Sequence, residues 1–523
     1  MITVGMRLVE GLAARGVEVV FGIPGVHTVE MYRGLSGSPV RHVTARHEQG
    51  CAFMADGYAR ATGKPGVALV ITGPGLTNAL TAMAQAREDS IPMLVISGVN
   101  RRGSLGKGWG LLHELPDQQA MVAALCPTRR ITAPEQVADT LDWAFTTMAT
   151  GRPGPVHIEV PTDVMPMECA ALPAPKMPAA RPAAAGVDEA ATLLNAAHRV
   201  VILAGGGTRG QEKALQALAE KLDAPVVQTT NARGQMHDHP LTVPASPSLS
   251  AVRELIRGAD RVLAIGTEFG WTDYDMYVLG DLPAPEDMIR IDACAEQLAR
   301  LPAALRLHGD AGATMAALLP RVTARTTDGA ARAEATRSKA RAEIGQLEPL
   351  MPNRLEMVEV IRSALPHCLI VADSTQPIYA ANLYYDHDRP HGFFNAATGY
   401  GALGYGPGAA VGAAIGAPGV KVVCLIGDGG LQFSPGELRT AVDENLPITF
   451  LVWNNAAYNE IADAMRAANT EVIGCHPSPL KLEPFAAACD LPFTSVPLDP
   501  ETLHWALSQP QNGPRLIEVR VKA

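Results

Sequence analysis

Charge is scarce in this chain. Only 18% of the 523 residues are Asp, Glu, Lys or Arg, and no basic stretch is longer than a pair such as Arg129-Arg130. With a formal net charge of −10, that composition argues against nucleic acid as a partner. No uncharged apolar run reaches 18 residues, so no membrane-spanning helix is expected. The amino terminus, MITVGMRLVEGLAARG, lacks a signal peptide's apolar run and reads as an amphipathic helix with Arg7 and Glu10 inside it. The cysteines at 51, 126, 169, 294, 368, 424, 475 and 489 form no C-x-x-C pair. They read as reduced core thiols of a cytoplasmic protein rather than disulfides or zinc ligands.

Apolar material, by contrast, is plentiful. At 47% hydrophobic residues the chain can bury sizeable cores, and its length exceeds what one core supports, so about three domains are expected. Short apolar strands such as VEVVFGIPG, GVALVITGPG and PVHIEVP alternate with helical patterns, which predicts a parallel sheet covered by helices on both faces. The pattern repeats through VVILAGGG and DRVLAIG, and again through CLIVAD, KVVCLIG, ITFLVW and LIEVRV. Three α/β domains with parallel sheets are therefore predicted, over 1–170, 188–320 and 346–523. A Pro and Ala rich linker at 171–187 and a charged, Ala-rich, solvent-washed and partly helical one at 321–345 separate them.

The most informative stretch is KVVCLIGDGGLQFSPGELRTAVDENLPITFLVWNNAAY, Lys421 to Tyr458. The apolar run Val422 to Ile426 predicts a buried strand that stops at the turn Gly427-Asp428-Gly429-Gly430. Ser434-Pro435-Gly436-Glu437 has the spelling of a capping box with proline at the first helical position, which predicts a helix start. A second strand, Ile448 to Val452, ends in Asn454-Asn455. A right-handed crossover points both strand ends the same way, so Asp428 and Asn455 meet at the carboxyl edge of the sheet. Carboxylate, amide oxygen and glycine-freed N–H groups there suit Mg2+ and a diphosphate. An ordinary βαβ unit with a polar switch-point loop fits the same residues.

Gly427-Asp428-Gly429, followed after the 24 residues Gly430 to Trp453 by Asn454-Asn455, resembles the thiamine diphosphate fingerprint of the enzymes related to acetolactate synthase and pyruvate decarboxylase. The resemblance implies a pyrimidine-binding first domain, a central domain and a diphosphate-binding third domain, with thiamine diphosphate and Mg2+ as cofactors. It implies that Asp428, Asn455 and the carbonyl of Ala457 hold the metal, and that Gly427, Gly429 and Gly430 border the diphosphate. Arg46-His47-Glu48-Gln49-Gly50 resembles the pyrimidine-binding segment. Its glutamate, Glu48, would share a proton with the aminopyrimidine so that the ylid can form, attack a 2-oxo carbon and release carbon dioxide. By the same resemblance Ser374, Thr375 and Gln376 form the loop over the diphosphate. Leu403 is the apolar pillar between the cofactor's rings, and the Gly401 carbonyl accepts from its amine. Glu48 of one chain would meet the diphosphate site of another, which implies a homodimer at minimum and favours a homotetramer. Acetolactate synthase relatives also hold a non-redox FAD against the central domain. Gly205-Gly206-Gly207-Thr208-Arg209-Gly210 satisfies G-x-G-x-x-G, but the next strand ends in Thr229-Thr230 without the acid a dinucleotide site wants, so a tight turn is the better reading.

The loop Phe21 to His27 resembles the family's first active-site loop. Val26 stands where proton-shuttling relatives carry Asp or Ser, and it cannot transfer a proton. Acetolactate synthases carry a tryptophan shortly after the paired Asn, where this chain has Tyr458-Asn459-Glu460-Ile461-Ala462-Asp463. GIPGVHTVEMYRGL and SLGKGWGLLHELPDQQAM together resemble the 5-guanidino-2-oxopentanoate (2-ketoarginine) decarboxylases. The expected activity is thus non-oxidative decarboxylation of a small 2-oxo acid through an ylid and an enamine. An acetolactate synthase-type carboligase is the alternative, and a cofactor-binding relative without turnover is the alternative of another class. Glu460 and Asp463 would face a guanidinium tail. His113, with His27 second, would donate the proton to the enamine.

Overall fold

The computed structural model describes residues 1–276 and 284–521. Three six-stranded sheets, parallel throughout, organise the chain. The first contains β1 (Val19–Gly22), β2 (Arg41–Thr44), β3 (Gly66–Val70), β4 (Met93–Val99), β5 (Thr128–Arg130) and β6 (Pro155–Pro161), in the order 2-1-3-4-6-5. The second contains β7 (Val200–Ala204), β8 (Val226–Gln228), β9 (Thr242–Val243), β10 (Arg261–Ile265), β11 (Ile289–Asp292) and β12 (Leu305–His308), ordered 12-11-10-7-8-9. The third contains β13 (Leu369–Ala372), β14 (Phe393–Asn395), β15 (Val422–Gly427), β16 (Ile448–Asn454), β17 (Phe493–Pro497) and β18 (Arg515–Arg520). Its order, 14-13-15-16-18-17, repeats that of the first sheet strand for strand. Helices cover both faces, so strands such as β3, β4, β7 and β13 are buried along their whole length. That is why they read as continuous apolar runs instead of alternating ones.

Two helices join the first and third sheets within one chain. The helix Glu48–Thr62 starts behind His47, whose ring nitrogen accepts from the Gln49 N–H, and ends at Gly63 in the left-handed region. It packs on the helix Tyr405–Gly416. A Cβ at Gly57 would run into the Ala409 carbonyl oxygen, and one at Gly412 into that of Met54. Glycine is what lets these backbones touch.

Three local expectations need correction. The strand before Asp428 runs on to Gly427, and the expected turn is the helical segment Asp428–Leu431. Ser434-Pro435-Gly436-Glu437 is not a capping box. Gly436 caps the helix Glu437–Asp443 without a side-chain bond, and the Ser434 hydroxyl donates instead to the Gly404 carbonyl at 2.7 Å. Glu437 turns inward and accepts from the N–H groups of Arg46 and His47. Lastly, the stretch expected to be partly helical and solvent-washed is helical over Gly329–Leu347, but one face of that helix is not solvated: it buries Ala333, Ala340 and Ile344. Small alanines give that face close packing without a visible apolar stripe. Residues 169–184 hold neither helix nor strand. All eight cysteines are free thiols and seven are buried. Among the described residues no helix is long and apolar enough to cross a membrane.

Candidate active site

Open parallel sheets place ligands beyond the carboxyl ends of their strands, where the strand order reverses. In the third sheet that point lies at β13 and β15, and a cavity of about 450 Å³ opens there. Ser374, Thr375 and Gln376 line it from β13, Gly427 to Gly430 from β15, and Asn455, Ala457 and Glu460 from β16; Gly401 and Leu403 close one side. Asp428 lies at the end of its strand, largely buried, and burial raises its carboxyl above the usual range. One of its oxygens accepts from the Asn455 N–H at 3.4 Å. The Asn455 amide donates to Gln376 Oε1 at 3.2 Å, and its own oxygen accepts from the Ala457 N–H. Those bonds fix which end of Asn455 is oxygen. Asn454 is structural: its amide donates to Glu518 at 2.6 Å. Ala456, in the left-handed region, turns the chain back toward the cavity. A Cβ at Gly429 would lie 2.5 Å from the Tyr458 ring.

Two residues here were not singled out from sequence. Asp373 is fully buried and collects the N–H groups of Ser374, Gly404 and Gly406, which ties the Ser374 loop to the Leu403 loop. Burial pushes its carboxyl up to about 7 against those three donors. An acid directly following the wholly apolar strand Leu369 to Ala372 was the available signal. Glu437 holds the amides ahead of Glu48, and its capping-box spelling concealed that role.

The second group lies on the first domain. Glu48 occupies the first turn of its helix, and its carboxylate accepts from Asn78 at 3.0 Å. The rings of His27 and His113 meet edge to face at 5.3 Å. Burial, and then the neighbouring His113, lower the pKa of His27. The Nδ1 atoms of both histidines and the hydroxyl of Thr72 are buried without a partner. Val26 is 71% exposed. None of Glu48, His27, His113 or Val26 lines the Asp428 cavity of the same chain. Asp463 does not either: it is exposed and pairs with Arg466 at 2.5 Å.

A cavity of about 480 Å³ lies at the central domain's glycine turn. The N–H groups of Gly205, Gly207, Thr208 and Arg209 already donate to backbone carbonyls within that turn and the one after β10. A Cβ at Gly207 would lie 2.7 Å from Gly266. The glycines serve contact between the two turns.

Comparison with known proteins is consistent with this geometry. Residues 2–121 match the N-terminal TPP binding domain of thiamine pyrophosphate enzymes, 187–318 the central domain and 373–519 the C-terminal TPP binding domain. The chain belongs to the thiamine pyrophosphate enzyme family. Among its relatives is the "Probable 2-ketoarginine decarboxylase AruI" of Pseudomonas aeruginosa, 42% identical over 91% of this chain and 86% of that protein. The "Acetolactate synthase isozyme 1 large subunit" of Escherichia coli is 29% identical over 99% of this chain and 93% of its own. The "Acetolactate synthase large subunit" of Corynebacterium glutamicum is 32% identical over 86% and 74%.

The residues present fit this family's cofactor. The Ser374 hydroxyl is buried with no partner, an orphaned donor on the wall where a diphosphate would lie, and orphaned buried polar atoms call for a ligand. Asp428, the Asn455 oxygen and the Ala457 carbonyl are the hard oxygen donors that Mg2+ takes.

Proposed function

We propose that this protein is a thiamine diphosphate- and Mg2+-dependent decarboxylase of a 2-oxo acid, with 5-guanidino-2-oxopentanoate as substrate. The observation that carries it is one cavity combining Asp428, Asn455 and the unpartnered Ser374 hydroxyl. The guanidino substrate is supported by the 42% identical relative named for 2-ketoarginine. Overall, R–CO–COOH yields R–CHO and CO2, which is redox-neutral.

When bound, thiamine diphosphate supplies a nucleophilic carbon and a sink for the electron pair left by carbon dioxide. The chain does the rest. Asp428, Asn455 and the Ala457 carbonyl would hold Mg2+, while Ser374, Thr375 and Gln376 would hold the diphosphate. Gly427, Gly429 and Gly430 let the backbone approach closely. Leu403 would be the apolar support beside the cofactor's rings, and the Gly401 carbonyl would accept from its amine. Glu48 holds a proton on the pyrimidine side. His113, seconded by His27, would supply the proton that becomes the aldehyde hydrogen, with apolar Val26 on the same loop as His27. Because Glu48 and the histidines lie outside the Asp428 cavity of their own chain, a complete site takes them from a second copy. A homodimer is the minimum unit, and a homotetramer is the form family resemblance favours. Exposed Trp109, Leu112 and Phe433 suit burial in such an interface.

The test supplies purified protein with thiamine diphosphate and Mg2+ and offers 2-oxo acids singly, with aldehyde trapped by a coupled dehydrogenase. Aldehyde from the guanidino acid is expected, and absorbance at flavin wavelengths shows whether the protein also carries FAD. The acetolactate synthase relatives keep carboligation as a second reading, and acetolactate from pyruvate with no guanidino aldehyde would establish it.

A further inference from the structure

The Asp428 cavity has a one-sided charge. Among the described residues no Lys, Arg or His lines it, and Asp428 and Glu460 are its two charged side chains. Asp428 sits deep, at the strand end. Glu460 stands exposed in the first turn of the helix Asn459–Ala467 and has no hydrogen bond or ion pair among the described residues. The helix N-terminus stabilises its negative charge without neutralising it. Asp463, one turn further on, is closed off by Arg466. Tyr379 also lines the cavity, and its hydroxyl is pushed up to about 12 by burial and then by Glu460.

We propose that Glu460 is the specificity residue that selects a substrate with a cationic, guanidinium-bearing tail. This rests on the decarboxylase reading and names the residue that recognises the tail of its substrate. A guanidinium pairs with a carboxylate through two parallel hydrogen bonds, and the faces of Tyr379 and Tyr458 on the same walls can take its flat side. A tail ending in a carboxylate would meet the like charge of Glu460.

The test compares 5-guanidino-2-oxopentanoate with 2-oxohexanoate, which has no charged tail, using the thiamine diphosphate and Mg2+ holoenzyme. In Glu460→Gln the ratio of kcat/KM for the guanidino acid over the uncharged acid should fall by about ten- to a hundredfold, mostly through KM, the range for losing a charge-assisted pair. Glu460→Asp should restore part of the ratio, and Glu460→Arg should raise turnover of 2-oxoadipate above wild type. An unchanged ratio in Glu460→Gln, or an equal loss on both substrates, overturns the proposal. Wild type that decarboxylates neither acid overturns the decarboxylase reading itself; wild type active on both with an unaltered ratio in the variant overturns only the role of Glu460.

Discussion

Ser374 and Asp373 are neighbours with opposite needs. The hydroxyl has no partner and the carboxylate has three. Ser374→Ala should leave folding intact and weaken thiamine diphosphate binding by about fivefold to tenfold, the worth of one hydrogen bond of about 1 kcal/mol, as read by cofactor titration. Asp373→Asn should be worse, since an amide N–H would face backbone N–H groups; a loss of about 1–3 kcal/mol of folding stability is expected from such unsatisfied donors in denaturant titration. Sequence exposed Asp428 and Asn455 because their spacing follows a strand-helix-strand rhythm. It concealed Asp373 and Glu437, because a buried acid is spelled like an exposed one and only the fold supplies the amides that satisfy it.

Legibility differed among the elements as well. Strands buried on both faces, such as β3 and β15, were plain as apolar runs, and Glu48 at a helix start followed from the polar residues before it. The helical character of Gly329–Leu347 is legible in the sequence, but its burial is not, because its buried face is largely alanine. Likewise, the close crossing of the Glu48 and Tyr405 helices could not be read from isolated glycines, whose use depends on a partner hundreds of residues away. Gly57→Ala tests that crossing. Its Cβ has only the rigid Ala409 backbone to push against, so overpacking should cost about 1–3 kcal/mol. Denaturation midpoints should fall, and activity should fall with them because the same helix carries Glu48.

At the scale of the molecule, one buried histidine sets part of the acid response. The ring nitrogens of His157 bond the hydroxyls of Ser97 and Thr128, both at 2.8 Å. Burial, followed by the Arg130 charge, pushes its pKa down to about 3. A folded pKa below the unfolded value means that its contribution is complete above about pH 6.5 and is lost as pH falls toward 3, by up to about 1.4 kcal/mol per pH unit. The stability gap between wild type and His157→Gln, measured by denaturant titration, should therefore narrow steadily from pH 6.5 to 4.5. A gap constant over that range would contradict a neutral buried imidazole.

The two halves of the site lie apart in one chain, so the account requires Glu48 and Asp428 to work from different copies. Glu48→Gln and Asp428→Asn, each made alone, should lower decarboxylation at least about a hundredfold, with thiamine diphosphate retained in the first. The decisive measurement co-expresses the two variants with different affinity tags and assays the doubly purified hybrid. Each hybrid dimer then holds one site with both residues intact, so activity should return to about half that of wild type. A hybrid as inactive as its parents would contradict a site shared between chains.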